Sequence, residues 1–153
     1  VPPHEIAELL EGRSHPEHLL HPLAKLFDPG QAALAVTVGS IVPSSKVVVA
    51  TQVAIALPQQ PSPFTRSGPG FGNAVKPDFV EHGGNLVRDL NFNTVGTNAG
   101  TNIVMASGKL TPALQNNNGT SFAAPRVAHH LALVFGDSVA FSRQDRFTNL
   151  QTL

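Results

Sequence analysis

The sequence predicts an α/β fold in which helices pack in layers against a sheet. Residues 35–42 (AVTVGSIV) are rich in β-branched and apolar side chains on both faces, which is typical of a strand buried in a parallel sheet. Residues 121–135 are apolar nearly all round a helix, which is typical of a helix in the core. Between these two segments, short strand-like stretches alternate with loops, as the class requires.

The composition is that of one globular domain, and it excludes several function classes. The 153 residues hold ten Lys and Arg against ten Asp and Glu, so no net charge draws the chain to nucleic acid or to a membrane. Cysteine is absent, which excludes a disulfide framework, a thiolate metal site and a cysteine nucleophile. The longest apolar stretch, residues 47–57, is shorter than the roughly 18 residues that indicate a membrane span.

The first 34 residues predict short helices. Apolar residues at 5–11 follow a helical spacing, and Gly12 ends that segment. A second helical stretch covers 16–27, where Pro22 is expected to kink or divide it. Residues 28–34 (DPGQAAL) begin with an Asp-Pro pair that predicts an N-cap and a first turn, followed by a third short helix.

The remaining strands are short and are separated by loops rich in glycine, proline or asparagine. We expect these strands at residues 46–57, 77–80 and 101–107. We expect the loops at residues 58–63, 66–73, 85–100 and 116–120. The first of the strands is expected to return antiparallel to the strand at 35–42, and Gly136 is expected to end the apolar helix.

The junction between the last loop and the apolar helix is the strongest candidate for chemistry. Gly119 lets the loop turn tightly, and Ser121 follows at the first turn of the predicted helix. Unpaired backbone N–H groups and the helix dipole favour negative charge at such a position, and a tetrahedral acyl intermediate needs that environment. The residues alone leave two interpretations open, because serine is also a common helix N-cap. Ser121 is either a cap or a nucleophile.

Three segments, in chain order, resemble signature motifs of the subtilisin-like serine proteases, the subtilases (peptidase S8 family). Residues 118–128 (NGTSFAAPRVA) resemble the nucleophile motif of that family. Upstream, residues 36–40 (VTVGS) resemble its "TVGA" strand end. Residues 64–69 (FTRSGP) and 76–80 (KPDFV) together resemble its "FSSRGP…KPDVVAPG" segment.

The resemblance implies a serine endopeptidase with the subtilisin-like three-layer fold and a mainly parallel sheet. It implies that Ser121 is the nucleophile, that the Ser121 N–H is one oxyanion donor, and that a polypeptide is the substrate. Asn118, Gly119 and Thr120 are expected to bind that substrate beside the nucleophile. Many subtilases bind calcium, but no calcium site is identifiable in this sequence, and no other cofactor is expected.

The resemblance covers only the C-terminal half of a catalytic domain. Residues 35–136 match the family motifs, 1–34 form a variable helical segment and 137–153 form a tail. The triad Asp, the "HGT" His and the oxyanion Asn of the family precede its "TVGA" strand and are not found here. We expect the absent N-terminal half to be the partner of this chain. Alone, the chain is expected to be inactive, because a serine hydroxyl without a base is a poor nucleophile.

Two alternatives stay open beside this hypothesis. The first is a non-catalytic module, derived from a subtilase, that serves binding or assembly. The second is an enzyme in two associated halves, for which we expect a large exposed apolar face on this chain. Residues 76–85 (KPDFVEHGGN) also resemble a bacterial subtilase branch that includes intracellular members. With acidic first residues unlike a signal peptide, this favours a cytoplasmic location.

The histidines and one aspartate receive structural interpretations. We expect His82 to be a loop histidine and not a base, and at least one of His129 and His130 to lie in packed surroundings. Asp78 is expected to hold its loop by hydrogen bonds and not to act as the triad acid. Three histidines spaced by three residues are expected to form a solvated helix face and not a metal site, since their directions diverge. They are His15, His18 and His21.

Overall fold

A computed structural model describes residues 6–7, 10–11, 13–91 and 94–137. Within these residues, seven short strands and one long helix confirm the α/β class. The strands are β1 (Val38–Ile41), β2 (Gln52–Ala54), β3 (Phe79–His82), β4 (Val87–Asp89), β5 (Val95–Gly96), β6 (Ile103–Ala106) and β7 (Leu114–Asn117). The long helix is α1 (Thr120–Asp137). Short 3-10 helices are found at Glu17–Leu20, Pro22–Ala24, Phe71–Asn73 and Ala99–Thr101.

The parallel pair β1–β3 is the platform on which α1 packs. Its register places Val38 opposite Phe79 and Ser40 opposite Glu81. Gly39 is buried in β1, where a Cβ atom would lie 2.6 Å from the ring of Pro77, so only glycine admits this approach. The predicted buried strand of a parallel sheet is confirmed.

The prediction of a mainly parallel sheet is wrong for the described residues. The other two sheets, β2-β4-β5 and β6-β7, are antiparallel. The strand predicted at 46–57 is reduced to β2, which pairs with β4 and not with β1. Side chains take the backbone donors that a longer strand would use: Ser44 Oγ accepts the Lys46 N–H, and Asn98 Oδ1 accepts the Val48 N–H.

Two of the predicted loops contain strands. Residues 85–100 include β4 and β5, and the ladder between β2 and β4 continues through the bond from the Leu90 N–H to the Thr51 carbonyl. Residues 116–120 overlap β7, which pairs with β6 although all four of its residues are exposed. β5 and β7 bury no residue fully, and β4 buries Val87 alone, so backbone pairing defines these strands and their sequences lack the hydrophobic alternation that predicts a strand.

The N-terminal segment forms short turns in place of the predicted longer helices. Pro22 divides the predicted stretch as expected, into the 3-10 helices Glu17–Leu20 and Pro22–Ala24. Residues 28–34 form successive turns and no third helix. The helix predicted at 5–11, with Gly12 at its end, lies largely outside the described residues, as does the tail beyond Asp137.

Helix α1 is buried on one side only, so its prediction as a core helix is wrong for this chain. Ala123 and Val127 are buried against the sheet, whereas Leu133 and Val134 are 50% and 62% exposed. Both His129 and His130 are exposed, which contradicts the expectation that one of them is packed. The reason is that, in the described structure, α1 packs on β1 and β3 and no element covers its other face.

Exposed apolar side chains, as expected for an enzyme in two associated halves, are present in the described residues. A groove of about 620 Å³ lies between α1, β3 and the segments that precede β1 and β3. Leu34 and Val75 line it and are nearly fully exposed, at 88% and 89%. Leu131 and Phe79 also line it. Large apolar side chains this exposed are suited to contact with another chain segment.

The solvated histidine face predicted for the N-terminal segment is wrong. His18 is fully buried, and its Nε2 atom bonds to the Pro63 carbonyl at 3.0 Å. The His15 ring lies 5.2 Å from the His18 ring, and neither nitrogen of His15 has a hydrogen-bond partner. Through the bond from His18 the segment packs on the proline-rich loop at 58–63, and Ser67 Oγ, in the loop that follows, donates to the Leu19 carbonyl at 2.6 Å. Sequence spacing alone could not reveal this contact.

The two histidines are held neutral by their surroundings. Burial first, and the neighbouring His18 second, lower the pKa of His15 from 6.5 to about 4, although the Pro61 carbonyl acts in the opposite direction. Burial also lowers the pKa of His18, against the effect of its bond to the Pro63 carbonyl. The folded chain therefore resists protonation at both rings, whereas the unfolded chain does not.

We expect the free energy of unfolding to decrease as the pH falls from about 6.5 towards about 4. In this window the unfolded state binds more protons than the folded state, and His15 alone accounts for a loss on the order of 2–3 kcal/mol. Urea unfolding at several pH values measures the effect. His15→Gln should flatten the dependence, and His129→Gln, at an exposed histidine, should leave it unchanged. Equal slopes for wild type and His15→Gln would contradict the prediction.

Candidate functional site

Ser121 is exposed at the N-terminal end of α1. The helix begins at Thr120, so Ser121 is its second residue, and the interpretation of Ser121 as the N-cap is wrong. Within the described residues, neither the Ser121 N–H nor its Oγ atom makes a hydrogen bond. An exposed hydroxyl, a free backbone donor and the positive end of an 18-residue helix therefore coincide at one position.

Gly119 sets the entry of the chain into α1. Its φ of 145° lies in the region that favours glycine, because a side chain would be strained there. The Gly119 N–H donates to the Gly83 carbonyl at 2.8 Å, and the Gly119 carbonyl accepts the Phe122 N–H at 3.1 Å. The loop is thus fixed to the end of β3 immediately before the serine.

Asn118 anchors the same loop through its side chain. Its Nδ2 atom donates to the Asn85 carbonyl at 3.0 Å and to Asn102 Oδ1 at 3.3 Å. Asn85 is fully buried, and its own side chain bonds to the Ala56 carbonyl and to the Leu86 N–H. The amide nitrogen of Asn118 is therefore committed to the protein, which leaves the backbone of residues 118–120 as the surface beside Ser121.

Two glycines after β3 allow the serine loop to approach. A Cβ atom on Gly83 would overlap Ser40 Oγ and would lie 2.7 Å from the Gly119 carbonyl oxygen. Gly84 has a φ of 99°, and a Cβ atom there would lie 2.7 Å from Asn118 Cβ. Neither glycine was among the predicted site residues. Their adjacency, directly after a strand that ends beside the motif, was the available signal.

His82 is a strand residue at the end of β3 and not a loop histidine. Its Nδ1 atom lies 3.3 Å from Glu81 Oε1, and its Nε2 atom lies 3.4 Å from Gln59 Nε2. Both ring nitrogens therefore face groups other than Ser121. The expectation that His82 is not a base beside the serine agrees with these contacts. In the described residues, no histidine or carboxylate hydrogen-bonds Ser121.

Glu81 links β3 to α1 and is held in its charged form. Its carboxylate accepts the His82 backbone N–H at 2.8 Å and lies 3.5 Å from an Arg126 nitrogen. The bond from His82 lowers the pKa of Glu81 most, burial opposes it, and Arg126, the His82 ring and His130 lower it further. Arg126 is half exposed, so this ion pair adds modestly to stability.

Asp78 holds the segment before β3, as predicted. Its Oδ2 atom accepts the Thr37 N–H and the Thr37 hydroxyl, both at 2.7 Å, and pairs with Lys76 at 2.8 Å. Burial alone would raise the pKa of Asp78, but the bonds from Lys76 and Thr37 outweigh it and lower the pKa. Asp78 thereby fixes the start of β1 against the start of β3.

No group of three or more His, Asp or Glu side chains that could hold a metal ion is found among the described residues. No described helix is long and apolar enough to cross a membrane.

Comparisons with known proteins agree with the motifs described above. A family model described as the subtilase family matches residues 21–145. The uncharacterized protein y4bN of Sinorhizobium fredii (strain NBRC 101917 / NGR234) is 34% identical over 123 residues. That match covers 74% of this chain and 28% of the relative, so the chain spans well under half of the relative's length. No solved structure matches.

We expect Gly83→Ala to destabilise the chain by about 1–3 kcal/mol, because the new methyl group would force the serine loop away from β3. Gly136→Ala is the matched control, since Gly136 lies in α1 with open space around it. That change should stabilise by about 0.5–1 kcal/mol, as expected for alanine in a helix. Urea unfolding measures both variants. A Gly83→Ala protein as stable as wild type would contradict the close approach.

Proposed function

The chain belongs to the subtilase family, and on that premise we propose that it is the serine-bearing part of a serine endopeptidase. In this proposal Ser121 is the nucleophile that cleaves a polypeptide by acyl transfer. One observation supports it most. Ser121 is exposed at the N-terminus of α1 with its own N–H unbonded, where the loop before it is anchored at Asn118 and Gly119.

The geometry suits both steps of acyl transfer, which are acylation of the serine and release of the acyl group. The Ser121 Oγ atom attacks the peptide carbonyl carbon, its proton passes to a base, and that proton then goes to the leaving amine. Water releases the acyl group in the second half of the reaction, again with proton transfer through the base. The carbonyl oxygen becomes negative in each step, and the Ser121 N–H with the helix dipole stabilises it. Removal of one such donor in related chemistry costs about 10²–10³ in rate.

The backbone of the serine loop is the proposed contact for the peptide. Asn118, Gly119 and Thr120 are partly exposed beside Ser121, and the side-chain nitrogen of Asn118 is engaged inside the protein. Their fixed backbone could align an extended substrate chain next to the nucleophile. A rigid contact of this kind contributes through orientation of the scissile bond.

We place the base, the triad acid and a second oxyanion donor in an N-terminal part of the catalytic domain. Three features support this. The outer face of α1 and the apolar groove beside it are uncovered in the described residues. Among the described strands, β3 pairs with β1 on one edge only. The matched relative extends far beyond the aligned region. Strands added beside β3, with helices to cover both faces, would extend the parallel pair β1–β3 into the subtilisin-like three-layer fold.

We expect a fluorophosphonate probe to label the full-length product of the reading frame at Ser121, and Ser121→Ala to abolish the labelling. The 153-residue chain alone should react at least about 10³-fold more slowly, because none of the residues that the structure describes offers a base in contact with Ser121. Labelling rates are measured by mass spectrometry of the modified peptide. Ser14→Ala, which removes another exposed serine hydroxyl, is the control and should label like wild type.

Other outcomes would point elsewhere. An intact full-length product that does not label would favour the non-catalytic binding or assembly module. Rapid labelling of the 153-residue chain would mean that a base lies within it. His82→Gln would then be the first variant to test, because His82 directly precedes Gly83, whose carbonyl binds the serine loop.

A further inference from the structure

Two of the three consecutive carbonyl groups after β3 anchor the serine loop, and a buried serine holds the third. The Gly83 carbonyl accepts the Gly119 N–H at 2.8 Å, and the Asn85 carbonyl accepts Asn118 Nδ2 at 3.0 Å. The Gly84 carbonyl between them accepts the hydroxyl of Ser62 at 2.6 Å. The outer two carbonyls thus bind the loop that precedes Ser121, and the middle one is bound from behind.

Ser62 is fully buried, and its hydrogen bonds have one possible direction. Its hydroxyl carries a single proton, which it donates to the Gly84 carbonyl. Ser62 Oγ also lies 2.7 Å from Ser40 Oγ, so Ser40 must be the donor in that pair. The chain of bonds therefore starts at Ser40 in β1, passes through Ser62 and ends at the Gly84 carbonyl.

We propose that Ser62 is a positioning residue for the nucleophile loop. By fixing the Gly84 carbonyl it orients the peptide groups on either side, and these hold Gly119 and Asn118. The consequence for catalysis rests on the function proposed above, but the effect on the loop does not. The role belongs to the side chain of Ser62, which lies in a proline-rich loop far from Ser121 along the sequence.

The other contacts of this segment do not replace Ser62. The Gly83 N–H bonds to the Ile41 carbonyl at 3.2 Å, and the Asn85 N–H bonds to the Thr101 carbonyl at 3.0 Å. The Asn85 N–H belongs to the same planar peptide group as the Gly84 carbonyl, so Thr101 holds one side of that group and the Ser62 hydroxyl holds the other. Neither contact supplies a donor to the Gly84 carbonyl. Without the Ser62 hydroxyl, this buried carbonyl would lack a partner, and a displacement of residues 83–85 would relieve that cost.

The test is amide hydrogen exchange of Gly119 in the 153-residue chain, followed by NMR, in Ser62→Ala. The loss of one buried hydrogen bond should accelerate exchange at Gly119 by about five- to tenfold. Thr65→Val is the matched control: Thr65 is also buried, and its hydroxyl accepts the Ser40 N–H at 3.0 Å but bonds to none of residues 83–85. In Thr65→Val, the Gly119 amide should exchange at the wild-type rate when the rates in both proteins are divided by those of amides in β6.

Ser62→Cys provides a second variant if Ser62→Ala does not fold, because the thiol fills the site but is a weak donor. Faster exchange at Gly119 in either folded Ser62 variant, and not in Thr65→Val, supports the proposal. Unchanged exchange at Gly119, or equal acceleration in Thr65→Val, would overturn it.

Probe labelling of the full-length product separates this inference from the proposed function. If Ser121 is the nucleophile, Ser62→Ala should slow labelling about tenfold through the displaced loop, and Thr65→Val should not. If wild type does not label at all, the proposed function fails. The exchange rate of Gly119 still decides the role of Ser62 in that case.

Discussion

The hydrogen bond from the Gly119 N–H to the Gly83 carbonyl is the constraint on which the rest of the site depends. It joins the end of β3 to the loop that leads into α1, so the position of Ser121 follows from the position of the sheet. Parallel pairing of β1 and β3 brings this edge beside the helix. Two glycines without side chains then permit a backbone approach that any larger residue would prevent.

The sequence predicts the parts of the fold that depend on local pattern. The apolar run at 35–42 contains β1, the division at Pro22 is present, and the helix predicted at 121–135 forms within α1. The hydrogen bonds of Asp78 were also expected. At the site, the motif around Ser121 was sufficient to locate the helix start, because a glycine followed by a serine and an apolar helix is a local signal.

The features that the sequence did not predict depend on contacts between distant segments. His18 has the spacing of a solvated residue, yet the proline-rich loop buries it and supplies a carbonyl partner. β7 is polar and exposed and is defined by pairing alone. Ser62 is connected to the serine loop through Gly84, which lies 22 positions further along the chain, so no local sequence pattern indicates the connection.

Because α1 is buried on one side only, its exposed side tolerates substitutions in this chain that it would not tolerate in a longer polypeptide that covers the helix. Leu133 and Val134 contribute little to the folding of this chain, so polar replacements there should be tolerated by it. The same replacements would be costly wherever a second surface packs on the helix. A comparison of the two tolerance maps would outline the covered surface residue by residue, without a structure of the assembled protein.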